Sequence, residues 1–198
     1  MKTLLPVVLA AIMIFGCGSS KKVTRLDSGT VTDISGKWND TDSRLVSEEM
    51  ISDCLAKPWI TDYIEARGHK PVVTVGTVRN LSDEHIDAET FTTDMERELI
   101  NSGKVKFVGS RDQRQEIRQE RADQQEYASD ETVKRMAQEK GADFLLMGSI
   151  KSILDQSENI RIVYYQTDLE MINVESNEKV WIGTKKIKKE ISRNDTKW

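Results

Sequence analysis

Between residues 160 and 174 the chain alternates. Val163, Tyr165, Thr167, Leu169 and Met171 fall on one side of an extended backbone, and Tyr164, Gln166, Asp168 and Glu170 on the other. A period of two predicts a strand with one buried and one wet face. The flanking runs at 142–153 and 179–191 also read as strands, and the turn residues at 175–178 join the last two as a hairpin. An antiparallel meander is therefore expected at the C-terminal end. Upstream the period lengthens. Val46, Met50 and Cys54, with Ile51 and Leu55 beside them, predict a helix over 43–55. Cys54 lies on its apolar stripe and reads as a small buried hydrophobe. Lys57-Pro58 breaks that helix and lets a second start, running through Trp59, Ile60, Tyr63 and Ile64 to Gly68. The valine-rich run at 71–78 predicts a strand buried on both faces. A polar loop, 79–87, ends in Asp87 as an N-cap. The helix over 88–101 that follows should bury Phe91, Met95 and Leu99, and Gly103 stops it. A short strand at 105–108 precedes a very polar helix at 110–126, in which only Ile117 and Ala122 are candidates for a core. A further helix is expected at 130–140. This order predicts an α/β (α+β) fold, with helices packed on a mixed sheet.

The first residues follow another pattern. Leu4 to Phe15 is apolar apart from Pro6 and follows a short basic start. About a dozen residues suit the apolar region of a signal peptide, whereas a spanning helix needs roughly 20. The run ends in Ile14-Phe15-Gly16-Cys17, which resembles a bacterial lipobox, although Phe15 is bulkier than is usual there. That resemblance implies cleavage before Cys17 and acylation of its sulfur, leaving a protein anchored to a membrane by acyl chains. An ordinary secretory signal is the other reading of the same run. Gly18-Ser19-Ser20 lacks the Asp that resemblance to enterobacterial lipoproteins associates with inner-membrane retention, so the periplasmic face of the outer membrane is expected. Residues 17–42 have few large apolar side chains and read as a flexible tether, with the globular domain over 43–198.

Composition narrows the function. A mean hydropathy of −0.53 and 31% charged residues predict no second membrane segment. A net charge of −4 argues against a nucleic-acid binder. Cys54 is the one cysteine besides Cys17, so no intramolecular disulfide is expected in the mature chain. The two histidines, His69 and His85, stand beside loops, and no zinc spacing, phosphate loop, dinucleotide fingerprint or nucleophile elbow is found. No enzyme, cofactor or metal is expected. Two surface features remain. One is the loop from Arg79 to Asp87. The other is the basic end with Lys185, Lys186, Lys188, Lys189, Arg193 and Lys197, which reads as a charged strand edge or as an electrostatic partner site.

The stretch from Gly68 to Val108 resembles LpoB-type lipoproteins, outer-membrane activators of penicillin-binding proteins. The matching features are the valine-rich strand ending in Val78-Arg79-Asn80, the polar loop closing with Ile86-Asp87, the amphipathic helix, and Gly103-Lys104 leading to Val108. The segment at 137–150 matches the family's Gly-Ala strand, and 164–187 its final hairpin with a Trp-containing strand. The resemblance implies a fold like the N-terminal domain of TolB and no catalysis. It implies that the domain binds and allosterically activates a bifunctional, class A penicillin-binding protein, regulating peptidoglycan synthesis. On that reading the partner-binding residues are Arg79, Asn80, Glu84 and His85 in the loop, with Arg118 and Arg121 on the polar helix, and a monomer is expected. Unlike the long proline-rich tether of familiar members, the tether here is short and has no proline between Cys17 and Lys57. An assembly or secretion lipoprotein of the curli-export type is the alternative, and a hydrolase or ligand-binding protein a third reading.

Overall fold

The computed structural model describes residues 22–125 and 141–192. The signal segment, Cys17, the helix expected at 130–140, Arg193 and Lys197 lie outside the described residues. Residues 22–30 belong to a separate short unit with a turn in which the Thr30 amide donates to Asp27 O over 3.0 Å. Everything described from Val31 onward belongs to the second unit.

In that second unit the elements run α1 (Asp40–Leu55), α2 (Trp59–Arg67), β1 (Val72–Leu81), α3 (Ala88–Asn101), β2 (Lys106–Phe107), α4 (Arg111–Gln125), β3 (Phe144–Gln156), β4 (Ile160–Asn173) and β5 (Lys179–Ser192). The five strands form one mixed sheet in the order β2-β1-β3-β4-β5. β1 pairs in parallel with β2 and β3, and β3, β4 and β5 form the expected antiparallel meander. The inward face of β4 is the set read from the alternation: Val163, Tyr165, Thr167, Leu169 and Met171 are all buried. With Leu146 and Ile150 of β3 and Val73, Val75 and Val78 of β1 they make a floor on which α1 and α3 pack. α3 contributes Phe91, Met95 and Leu99, three side chains one turn apart, and α1 contributes Val46, Met50, Ile51 and Cys54. Burial pushes the Cys54 thiol up to about 12, as suits a core hydrophobe. Val72 and Val73 are both buried, so the start of β1 is covered on its two faces, as its sequence predicts.

The tether is shorter than the sequence suggests. Residues 31–39 form a strap that packs on the domain, and α1 starts at Asp40, three residues ahead of the expected Ser43. The physical reason is a set of specific contacts. Asn39 and Asp42 make a reciprocal capping box, in which each side chain accepts from the other's backbone amide. Trp38 lies edge-on to Phe91 and Tyr165, with ring centroids 6.1 and 5.6 Å away. Its indole Nε1 donates to Ser43 Oγ over 2.8 Å. Asn39 Nδ2 donates back to Thr32 O and Asp33 Oδ1.

The basic end also reads differently in space. Alternation along β5 turns Trp181, Lys185 and Lys189 inward, toward α1. Trp181 Nε1 donates to Asp53 Oδ2 over 2.8 Å, Lys185 pairs with Glu49, and Lys189 Nζ donates to Asp33 Oδ1 and Asp42 Oδ2, each over 2.6 Å. Lys185 and Lys189 thus join α1 and the strap to the sheet. Only Lys186 and Lys188 of the run's described members are exposed on the other face.

The side chains of Lys189 and Asp42 are 10% and 8% exposed, so removing the ammonium strands a buried carboxylate. Lys189→Met is expected to cost about 3 kcal/mol. Asp33 is 46% exposed, and Asp33→Asn is expected to cost less than about 1 kcal/mol. Urea midpoints of the two variants test the clamp, and equal midpoints would contradict the buried role of Lys189.

Candidate partner-docking face

The first three residues of the expected loop, 79–81, instead extend β1 and pair in parallel with residues 149–151 of β3, so the turn proper is 82–86. Asn80 sits at the turn, half-buried, and its side chain holds the loop together. Its Nδ2 donates to Glu84 O over 2.8 Å and to Ile86 O over 3.4 Å, while its Oδ1 accepts from the amide and hydroxyl of Ser82. Residues 82–86 wrap around this one amide, and Ile86 is buried in the core. The Asp83 amide donates to Ser152 Oγ, which ties the loop to β3. Asp87 then caps α3, and the amides of Glu89 and Thr90 hold its carboxyl below the usual carboxylate range.

Glu84 turns inward. Its Oε2 accepts from the Trp38 amide over 3.2 Å, which joins the loop to the strap. Its carboxylate lies beside the Tyr165 hydroxyl, and both groups are buried. Burial, followed by the nearby Glu84 carboxylate, pushes the Tyr165 phenol above its ordinary range. Of the four loop residues picked from the sequence, Arg79 and His85 are exposed, while Asn80 and Glu84 are committed to the loop's own architecture. The other two picks sit on a different element. α4 is exposed along most of its length, with Arg118 exposed and Arg121 half-buried. Neither Ile117 nor Ala122 enters the core.

Beside the loop, the outward face of the sheet is open. At the start of β1 it is covered, with Val72 and Thr74 buried. Toward the end of β1 it is not: Arg79 is exposed and Leu81 is 53% exposed. The register arranges the outward side chains in rows that cross the strands. Arg79, Ser149, Asp168 and Thr184 form one row; Leu81, Lys151, Gln166 and Lys186 form the next; Ile153, Tyr164 and Lys188 form a third. Asp168 is the hub of the first two. It accepts from Lys151 Nζ over 2.9 Å, from Thr184 Oγ1 over 2.8 Å and from Gln166 Nε2 at both carboxylate oxygens. Burial works to raise the Asp168 carboxyl, but the bonds from Lys151, Thr184 and Gln166 outweigh it and hold the group below its usual range. Between the second and third rows lies an open depression of about 380 Å³, floored by Leu81, Ile153 and Tyr164.

The sequence reading passed over Leu81, Ile153 and Tyr164. Their signal is visible in hindsight: they are large apolar or aromatic residues in the register of the wet face. Among the described residues no cluster of His, Cys, Asp and Glu is arranged to hold a metal ion, and no helix is long and apolar enough to cross a membrane.

A family model described as "Peptidoglycan-synthase activator LpoB" matches residues 42–187, which is 146 of the 198 residues. No protein of curated function matches the sequence. Among solved structures, the LpoB C-terminal domain from Salmonella enterica aligns at 21% identity over 66% of this chain and 93% of that one, with a TM-score of 0.34. The corresponding Escherichia coli domain aligns at 19% identity over the same shares, also at 0.34. Lipoprotein GNA1162 from Neisseria meningitidis aligns at 10% identity over 64% of this chain and 88% of that one, at 0.36.

The Asp168 hub has a pH signature. Its folded pKa lies below the unfolded value of about 4, so its contribution is complete above that pH and is lost as pH falls through the lowered folded value. Asp168→Asn is expected to be about 1 kcal/mol less stable at neutral pH. The gap should narrow progressively as pH falls below the unfolded carboxyl's value. Chemical denaturation across that range checks it, and a gap independent of pH would rule out the carboxylate as its source.

Proposed function

The chain belongs to the LpoB family of peptidoglycan-synthase activators, and from that premise we propose that it binds a bifunctional, class A penicillin-binding protein and raises its activity. The observation that carries this reading is the family match across most of the domain. The family is one of activators, so the chemistry resides in the partner and this chain supplies binding energy. Activation then requires only that the chain bind the active synthase better than the resting one. A five-fold preference corresponds to about 1 kcal/mol of coupling.

The proposed docking surface includes Arg79 and His85 on the loop and Arg118 and Arg121 on α4. Asn80 and Glu84 act behind it, by fixing the loop's shape. The exposed Arg79 on a chain of net charge −4 favours an acidic partner surface. The proposed placement is the periplasmic side of the outer membrane, through acylation of Cys17, with a monomeric domain. The lipobox sequence supports the anchor. With the strap counted as part of the domain, we take residues 18–30 as the tether. They reach at most about 45 Å, so the synthase must present its docking surface close to the anchor.

Glycan polymerisation by the host's class A penicillin-binding proteins, with and without the full-length lipoprotein, tests the proposal. A several-fold rate increase with one synthase is expected, and no increase or binding with any of them would overturn it. Arg79→Glu should weaken the synthase complex about tenfold, or about 1.4 kcal/mol, with an unchanged melting temperature. Cys17→Ser should move the protein from the membrane to the soluble fraction; retention of the variant in membranes would overturn the acyl anchor.

A further inference from the structure

We propose that the outward rows of β3, β4 and β5 form the anchor of the docking surface. On this proposal they receive a segment of the synthase in which a protruding apolar side chain is ringed by carboxylates. The inference rests on the activator reading and names where, and by what chemistry, the partner is held.

Three observations meet at this place. The first is exposed apolar surface on a rigid support. Ile153 is 65% exposed, Leu81 is 53% exposed, and together with Tyr164 they line the 380 Å³ depression. They stand on strands paired along their length, so little ordering cost attends binding. Tyr164 is an aromatic with a weakly held hydroxyl, 3.4 Å from Gln166 Oε1, and such residues dominate binding energy when a partner covers them.

The second is charge. Lys186 and Lys188 end the two rows that border the depression, and Arg79 begins the row beyond Leu81. All three are exposed and make no ion pair among the described residues. Lys151, by contrast, is neutralised by Asp168. The apolar floor is thus flanked by uncompensated positive charge on a chain that is acidic overall. The third is a sharp limit. The next row along, Asp155, Ile162 and Glu190, carries the opposite sign. An acidic ligand therefore fits the face in one position, with its carboxylates over Lys186 and Lys188 and away from Glu190.

These features select the occupant. A second copy of this face carries the same unpaired Arg79, Lys186 and Lys188, so pairing two of them adds positive charge at the depression rather than neutralising it. An anionic lipid surface would meet the acidic row as well as the basic ones. An acidic protein surface with one apolar projection satisfies both the depression and its rim.

The test uses the full-length protein and the purified class A penicillin-binding protein whose activity it raises. Binding is measured by calorimetry across a salt series for the native chain, Ile153→Ser, Lys186→Glu with Lys188→Glu, and Glu190→Lys. Melting temperatures report folding. Ile153→Ser is expected to weaken binding about tenfold with little change in salt dependence. The double lysine reversal should weaken it at least tenfold at low salt and flatten the salt dependence, because the steering charges are gone. Glu190→Lys should leave binding equal or tighter. Native-like binding by folded Ile153→Ser and the folded lysine variant would overturn this face while leaving the activator reading intact. Loss in the lysine variant alone would overturn the apolar anchor. A native chain that binds isolated glycan strands through these residues, and not the synthase, would overturn the proposed occupant. A native chain that neither binds nor stimulates any synthase would remove the activator reading and this inference with it.

Discussion

The side-chain alternation of β4 is the constraint to which the other elements are referred. This strand is hydrogen-bonded along its length to β3 on one side and to β5 on the other. Its five inward residues are the buried floor of the domain. A slip of one residue would bring Gln166, Asp168 and Glu170 under the helices and turn Tyr165, Leu169 and Met171 to water. The cost of such a slip fixes β3 and β5 in register with β4, and β3 in turn fixes β1. The outward rows are the same constraint seen from the other side. Asp168 can collect bonds from Lys151 and Thr184 because the inward register has already placed those residues opposite it.

The layer above the floor is held by different physics. α3 packs through apolar side chains one turn apart, and each fully buried group of this kind contributes roughly 1.5–3 kcal/mol. α1 combines an apolar stripe with a charged seam: Asp53 to Trp181, Glu49 to Lys185, and Asp42 to Lys189. Pairs of this sort are directional, and they select a position along β5 more than they add stability. The buried polar atoms of Thr41 and Thr167 have no hydrogen-bond partner among the described residues. Each carries a desolvation cost of about 1–3 kcal/mol.

Much of this was legible in the sequence, and what was missed has a common cause. β4 and α3 announce themselves because a single period runs through each, and the double burial of β1 follows from consecutive valines. The start of α1 does not, since Thr41, Asp42 and Ser43 are polar yet buried, and the lysine that makes Asp42's burial tolerable lies 147 residues away. Local pattern has no access to such a partner. The same holds for Asn80 and Glu84. Their polarity in a loop reads as an offer to a partner, whereas their acceptors and donors are the loop's own backbone and the Trp38 amide. Ile153 and Tyr164 differ again, because alternation places them on the wet face but does not distinguish them from the polar residues around them. The family assignment rests on the sequence match across residues 42–187.

The strap also determines where mechanical load enters. On a chain anchored at Cys17, tension from the membrane side reaches the domain at Val31. It meets Asp33 and its bond to Lys189 first, then the Trp38 ring wedged against Phe91 and Tyr165. The Trp38 amide is bonded to Glu84, so the strap and the inner wall of the 82–86 turn are mechanically joined. A pull on the residues ahead of the strap is therefore felt by that turn as well as by α1, and tension is one way in which the shape of a distant loop could be coupled to the length of the chain that precedes the domain.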